Sequence, residues 1–440
     1  MRAVWLLVLI YLPGCGRTPA PSGRQPEAGS TGSAVIGTQA PAPSAGARGA
    51  PRCAVEEAPR TISDDEGRAS EHGFVALENL RLFAREGNFL VTWERQSHFE
   101  IGDSWRAPHA ALRRGAAAFR VVEFPVDAYA CASYGSIAPA SSAEIVTWGV
   151  ANVRGFEFWP ELPRTKKNES GEDVVVPGSA RRLFTRRKEV NTFVISRRVA
   201  LAATLDGECD MSCACSDTWK PALWVYGLDP KARLAARLAV ASTTAPPALD
   251  NDVPNAPALA IGEHAGAAAF SSGRALYLSW LDGNGKPQGS PLRFDEGEVG
   301  APALALAGRE LIVVWARRDA KAEPYRLRWL RLAPLATPGA ARTLSTPGSA
   351  FAPAVIADER SMVLAWMDGD ADRRGAIYVA RAELDDPRLE ARQVSTPGET
   401  NARDPELSGS VEEPALVYAA FSKTRPGGEV RFGRLRCSAR

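Results

Sequence analysis

The 440-residue chain carries 53 Lys and Arg against 51 Asp and Glu, a net charge of +2, so no overall field recruits nucleic acid or an anionic membrane. Hydrophobic residues make up 45% and charged residues 24%, which permits a large core. Length alone allows two or three domains and does not choose among them.

In chain order, Arg2 precedes the apolar run from Trp5 to Leu12, which is too short to span a bilayer as a mature helix. The run ends in Leu12-Pro13-Gly14-Cys15, which resembles the bacterial lipobox. That resemblance implies that residues 1–15 are a lipoprotein signal peptide and lipobox, outside the fold, with Cys15 lipidated. Several acyl chains on one Cys anchor stably, at ~0.8 kcal/mol per buried CH₂. Gly16, standing where Asp would signal retention, implies an outer-membrane lipoprotein, facing the periplasm or the surface. The alternative is an ordinary signal peptide with a chance Cys. Residues 16–50 are rich in Pro, Ala, Gly and Ser and bury too little to offset ordering entropy, so they read as a disordered tether. The folded domain is then 51–440.

A repeat organises that domain. Pro302 leads through Leu304 and Leu306 to Leu311-Ile312-Val313-Val314-Trp315. Pro353 leads likewise to Trp366, and Pro405 to Tyr418. In each the Pro and the aromatic are thirteen residues apart, as are Pro257 and Phe270. Degenerate copies run from Leu80 to Trp93, Gly135 to Trp148 and Asn191 to Thr204, which makes seven units at a period of 45 to 66 residues. Each unit holds two apolar runs in a hairpin, then an alternating run such as Tyr325 to Leu332, then a short run such as Ala341-Arg342-Thr343-Leu344-Ser345. Four strands per ~45–55 residues is the pattern of a propeller blade. The spacing therefore predicts an all-β, seven-bladed β-propeller, with each Pro opening an innermost strand and each thirteenth-position aromatic packed between blades.

The last unit stops after its third strand, Gly428 to Cys437, while Arg60 to Ser63 near the start matches a fourth strand. We expect this N-terminal strand to close the last blade. Alignment of units seven and five puts Cys53 and Cys437 in the hairpin loop between strands three and four. A Cys53–Cys437 disulfide there would brace the seam by closing a loop of hundreds of residues; two unrelated thiols are the alternative. Cys131, Cys209, Cys213 and Cys215 complete six cysteines beyond Cys15, an even count that suits disulfides in an exported protein. Cys131 is expected to bond one of the other three, whose remaining two pair together. A four-Cys zinc site, lacking a Cys-x-x-Cys pair, is the alternative.

Chemistry-bearing motifs are missing: the sequence has no His-Glu-x-x-His, Gly-x-Ser-x-Gly or P-loop. His98 and His109 share one long segment and read as solvated loop residues, with a metal or acid–base role as the alternative. Asp368 to Asp372 and Asp282-Gly283-Asn284-Gly285 read as hairpin turns rather than ion sites. No metal and no cofactor are called for. Trp105, in the insertion from Glu94 to Gly115, and Trp219, after the Cys cluster, are expected to project from one face. With Arg95, Arg106, Arg317 and Arg318 they make a candidate recognition surface, or else they pin long loops.

The units resemble WD-like repeats of secreted bacterial propellers, in Val313-Val314-Trp315-Ala316, in Leu364-Ala365-Trp366-Met367-Asp368 and in the strand-turn from Tyr277 to Pro287. This resemblance covers most of residues 58–437 and implies the fold alone, because propellers host many unrelated functions. Sialidase-type Asp boxes are missing; Ser216-Asp217-Thr218-Trp219 is too compressed. The expected function is a non-catalytic binding or scaffolding module, monomeric, held to the membrane by its lipid alone, with an envelope protein or a glycan as ligand and no nucleic acid. A propeller-type glycan hydrolase or lyase is the alternative and needs convergent carboxylates or Arg at one mouth of a central channel. A structural spacer is the third reading.

Overall fold

The computed structural model describes residues 52–63, 75–98, 104–123, 135–139, 145–149, 156–159, 165–167, 173–175, 181–184, 192–195, 199–206, 220–227, 258–262, 264–271, 275–320, 323–369, 375–386, 388–396, 399, 401–422 and 428–438. Cys15, the tether, Cys131, Cys209, Cys213, Cys215 and Trp219 lie outside them. The described elements are strands. β1 (Arg52–Thr61) stands apart from the first sheet, which is β2 (Val75–Arg85), β3 (Asn88–His98), β4 (Ser104–Arg114) and β5 (Arg120–Glu123). The second is β6 (Gly135–Pro139), β7 (Ile145–Gly149), β8 (Phe156–Trp159) and β11 (Arg181–Phe184), with β9 (Thr165–Lys167) and β10 (Asp173–Val175) as a separate hairpin. The third is β12 (Thr192–Ile195), β13 (Val199–Asp206) and β14 (Lys220–Gly227). The fourth is β15 (Ala258–Ile261), β16 (Ala265–Ser271), β17 (Ala275–Asp282) and β18 (Pro287–Glu296). The fifth is β19 (Glu298–Ala307), β20 (Glu310–Arg318), β21 (Arg326–Leu332) and β22 (Arg342–Thr343). The sixth is β23 (Ala350–Ala357), β24 (Ser361–Gly369), β25 (Gly375–Glu383) and β26 (Arg392–Gln393). The last is β27 (Asn401–Gly409), β28 (Pro414–Phe421) and β29 (Glu429–Ser438), completed by β1 in the order β1-β29-β28-β27.

Every described sheet is antiparallel, and the second strands are the most continuously buried, as β20, β24 and β28 show. Strands enclosed on both faces need such unbroken Val, Leu, Ile and Ala runs. The first strands lie side by side: β2 beside β27, β27 beside β23, β23 beside β19, β19 beside β15, β15 beside β12, β12 beside β6 and β6 beside β2. Repeated four-stranded meanders arranged this way are the architecture of a β-propeller.

The thirteen-residue interval is a cross-strand pair. Pro302 lies opposite Trp315, and Ala303 opposite Val314. In the second sheet the partner of Trp148 is Ser136, one residue past the expected Gly135. The Pro does not open its strand. It sits in or beside a β-bulge within it, between Val299 and Pro302, Phe351 and Ala354, and Arg403 and Glu406. A bulge tolerates a residue that lacks the N–H donor. Ala352 (φ 41°) and Asp404 (φ 53°) precede their Pro in left-handed backbone.

In the first, fifth, sixth and last sheets the aromatic slot is buried against the neighbouring sheet. Trp315 is buried with Ala267, Leu278 and Trp280 of the fourth sheet. Trp366 is buried with Val314 and Leu327, and Tyr418 with Val363 and Val379. Trp93 of the first sheet is buried with Val417 and Phe432 of the last, joined by Ile62 beyond β1. Chain start and chain end therefore share one core.

β1 begins eight residues before the expected Arg60. It pairs with β29 from Arg52↔Ser438 through Thr61↔Arg431. Cys53 and Cys437 are register partners within these strands, not loop residues, and are joined by a disulfide. Side chains on both flanks fasten the strand. Arg52 pairs with Glu390 of the sixth sheet's outer segment at 2.8 Å. Glu57 takes both carboxylate oxygens to Arg113 of β4 at 2.8 Å each, and the Arg113 guanidinium lies over the rings of Phe89, Phe119 and Phe432. Glu56 meets Arg434 and Arg436 at 3.3 and 2.9 Å. Among the described residues no helix is long and apolar enough to cross a membrane.

Candidate functional site

The end of the fifth sheet where β20 hands over to β21, and where β18 crosses to β19, gathers a dense polar cluster around two of the expected site residues. Trp315 is fully buried near the end of β20, and its indole N–H donates to Asp295 Oδ2 at 2.6 Å. The indole N–H groups of Trp93 and Trp366, in the same slot of other sheets, find no acceptor. Asp295 holds Arg317 with its other oxygen. On its outer side Arg317 Nη2 meets Asp319 Oδ1 at 2.7 Å, and Asp319 Oδ2 lies 3.8 Å from Arg328 Nη2. Arg318 pairs with Glu298 at the start of β19. Tyr325 donates its phenol proton to the same carboxylate at 2.5 Å, and the Arg318 guanidinium lies 4.7 Å from the Tyr325 ring centre. Burial, then the bond to Glu298, pushes the Tyr325 phenol up to about 12. The bond to Glu298 likewise raises Arg318.

Two smaller clusters occupy the corresponding end of the next sheets. Asp368 closes β24 against the backbone N–H groups of Gly348 and Ser349, and burial lifts its carboxyl above the ordinary value. Glu399 accepts from Thr396 N at 3.1 Å and from the Tyr418 hydroxyl at 3.4 Å, with Arg431 at 3.5 Å. Its carboxyl is raised by burial, opposed by Arg431. Arg431 also meets Glu429, which accepts from the Thr61 hydroxyl at the end of β1.

Along the first strands, β2 and β27 share a polar seam. Arg81 meets Glu406 at 2.7 Å, Ser408 Oγ accepts from Ala84 N at 2.9 Å, and Arg403 stacks over Phe421. Burial raises the Glu406 carboxyl against the pull of Arg81. The described first strands of the fourth to sixth sheets are instead dominated by small apolar residues, as in Ala303 to Ala307 and Ala352 to Ala357. Among the described residues no group of three or more His, Cys, Asp or Glu is placed to hold a metal.

No protein-family model matches the chain, and no curated protein matches it. Solved structures do. The polysaccharide lyase Uly1 aligns at a TM-score of 0.50 and 8% identity, over 86% of this chain and 94% of the lyase. The acylaminoacyl peptidase of Pyrococcus horikoshii aligns at 0.48 and 9%, over 83% of this chain, which spans about half (52%) of the peptidase. The β-propeller domain of the Trilobed protease from Pyrococcus furiosus aligns at 0.45 and 10%, over 82% and 95%. At 8% identity the likeness to the lyase concerns the path of the chain alone.

The expected recognition residues divide. Arg317 and Arg318 stand together, each engaged by a carboxylate. Arg95, Trp105 and Arg106 do not lie in a loop: β3 runs to His98 and β4 starts at Ser104, so Arg95 pairs with Ala107, Gln96 with Arg106 and Ser97 with Trp105. The polar composition of 94–108 hides an extended hairpin whose backbone pairs regardless of side chain. His109 is not a solvated loop residue. It is 5% exposed within β4 and stacks on Trp93, with ring centres 5.4 Å apart. Asp282 to Gly285 is the expected turn: Asp282 Oδ1 accepts from Asn284 N and Lys286 N at 2.8 Å, and Gly285 takes φ 78°. Asp295 and Glu298 were not legible as site residues, because the fold alone brings them to Arg317 and Arg318, whereas Asp319 stands two residues from Arg317 in the sequence.

Proposed function

We propose that the chain is a seven-bladed β-propeller closed by its N-terminal strand, anchored at the outer membrane through a lipid on Cys15, and that it acts as a monomeric, non-catalytic binding or scaffolding module. The circuit of first strands, in which β6 and β27 both flank β2, supports the closed ring. The function rests on the polar surface at the end of the fifth sheet. There Arg317 and Arg318 are held in place by Asp295 and Glu298 before any ligand arrives, with about one fifth of each side chain exposed. Groups fixed in advance lose little freedom on binding, and Arg beside an aromatic ring is the composition that binding hot spots favour. The partner is an envelope protein or a glycan. Pull-down from envelope extract with the wild-type domain and with Arg318→Gln tests this. Capture of a partner that weakens in the variant is expected; equal capture by both defeats the assignment of the surface. Palmitate labelling that depends on Cys15, and is blocked by globomycin, tests the anchor.

A second reading, a glycan hydrolase or lyase, draws on the fold-level likeness to the lyase and on Glu399, whose raised carboxyl faces Tyr418 and Arg431. Depolymerisation of acidic polysaccharides by the purified chain, abolished by Glu399→Gln, is its test.

A further inference from the structure

We propose that Asp319 occupies a carboxylate site between Arg317 and Arg328 that receives an acidic side chain from a protein partner. The inference rests on the binding surface proposed above and adds the chemistry of its ligand.

Arg317 is gripped from within. Its inner partner Asp295 is 7% exposed in its side chain and is itself fixed by the Trp315 indole. Arg328 is the cross-strand partner of Trp315, so two paired strands set its position. The Arg317 guanidinium therefore keeps its place without Asp319, and the paired strands hold the Arg328 backbone in register beside it. What lies between them is a carboxylate 58% exposed, on the first residue beyond β20. An exposed pair of this kind contributes about 0.2–1 kcal/mol. A second carboxylate thus displaces Asp319 at little cost, whereas Asp295 stays. A guanidinium fork suits a planar carboxylate in particular. The present occupant is an Asp side chain carried by a connection leaving a strand, and an acidic loop of a protein reproduces that shape more closely than a sugar ring does.

The test uses the full chain and poly-L-aspartate as probe, with polygalacturonate as the glycan arm at the same salt. Affinities are measured for wild type, Asp319→Asn, Arg328→Gln and the double variant. Asp385→Asn serves as a charge control, because that carboxylate is fully exposed and belongs to another site. Asp319→Asn is expected to bind poly-L-aspartate about two- to fivefold more tightly, the fold-change of a pair worth up to ~1 kcal/mol. Arg328→Gln removes that gain, and Asp385→Asn shows none. Unchanged affinity in Asp319→Asn, a gain that survives Arg328→Gln, an equal gain in Asp385→Asn, or a gain for polygalacturonate alone overturns the proposal. Arg328→Gln leaves the Asp295–Arg317 pair intact, and Asp319→Asn changes an exposed group, so both variants fold. Capture from extract and its dependence on Arg318 are read without Asp319, so failure here leaves the surface assignment standing.

Discussion

Replacing Cys53 and Cys437 together by Ser removes a covalent link between residues 384 positions apart. In the chain-entropy model a closed loop of that length contributes about 6 kcal/mol at 25 °C, as an upper bound before native-state effects. The folded protein keeps the other attachments of β1: the pairing with β29, Glu57 on Arg113, and Ile62 N–H on Val430 O at 2.9 Å. The loss therefore falls mainly on the unfolded ensemble, which becomes free to expand. Urea unfolding of the oxidised wild type and the double variant reads both consequences. The variant unfolds at lower urea and with a steeper slope, since its unfolded chain exposes more surface. With an unfolding entropy of ~2.1 cal/mol/K per residue over nearly 390 residues, the thermal midpoint falls by about 7 °C. Two curves separated by less than ~1 kcal/mol, with the same slope, refute the reasoning, because the loop would then not constrain the unfolded chain.

Arg381→Met leaves the Cys437 carbonyl and Ser361 Oγ without donors that now lie at 2.8 and 2.9 Å. With charge-assisted bonds worth about 1.5–3 kcal/mol each, a loss of roughly 3 kcal/mol in denaturant unfolding is expected, and Arg381→Lys recovers part of it. Gly348→Ala drives a Cβ into Asp368 Oδ1. Chain shifts of this kind cost about 1–3 kcal/mol, read as a lower thermal midpoint that Gly348→Ala in an Asp368→Ala background largely restores. Glu399 has a folded pKa above its unfolded one, so the folded state holds its proton more tightly. Its contribution to stability is present at low pH and is lost as pH rises through the raised value. Glu399→Gln should therefore flatten that part of the stability–pH curve, as measured by urea midpoints at a series of pH values.

What the sequence disclosed was the part of the fold written in apolar pattern. The thirteen-residue interval is the span of a hairpin, and the aromatic at its end is legible because burial between sheets demands a large ring there, as Trp315 and Trp366 show at 0% exposure. The bulge was not legible. In two sheets it takes left-handed backbone at Ala352 and Asp404; Asp tolerates that conformation, but Ala announces nothing of the kind. The start of β1 was hidden for a related reason. Only Cys53 of its first half is buried, in an outer strand whose remaining positions alternate between exposed and half-buried. The site was legible on its cationic side alone. Arg317-Arg318 stands out in sequence, but Asp295 and Glu298 come within reach only because β18 turns directly into β19 beside the end of β20. His109 carried no sign of its burial, which follows from the pairing of His109 with Trp93 across β3 and β4.

The account stands on the joining of the chain's start to its last sheet, and a tryptic map of the unreduced protein tests that most directly. Cleavage after Arg52, Arg60 and Arg436 should yield the segment 53–60 covalently joined to 437–440, separating into two masses on reduction. Recovery of either segment alone before reduction, or of Cys53 joined to Cys131, Cys209, Cys213 or Cys215, contradicts it.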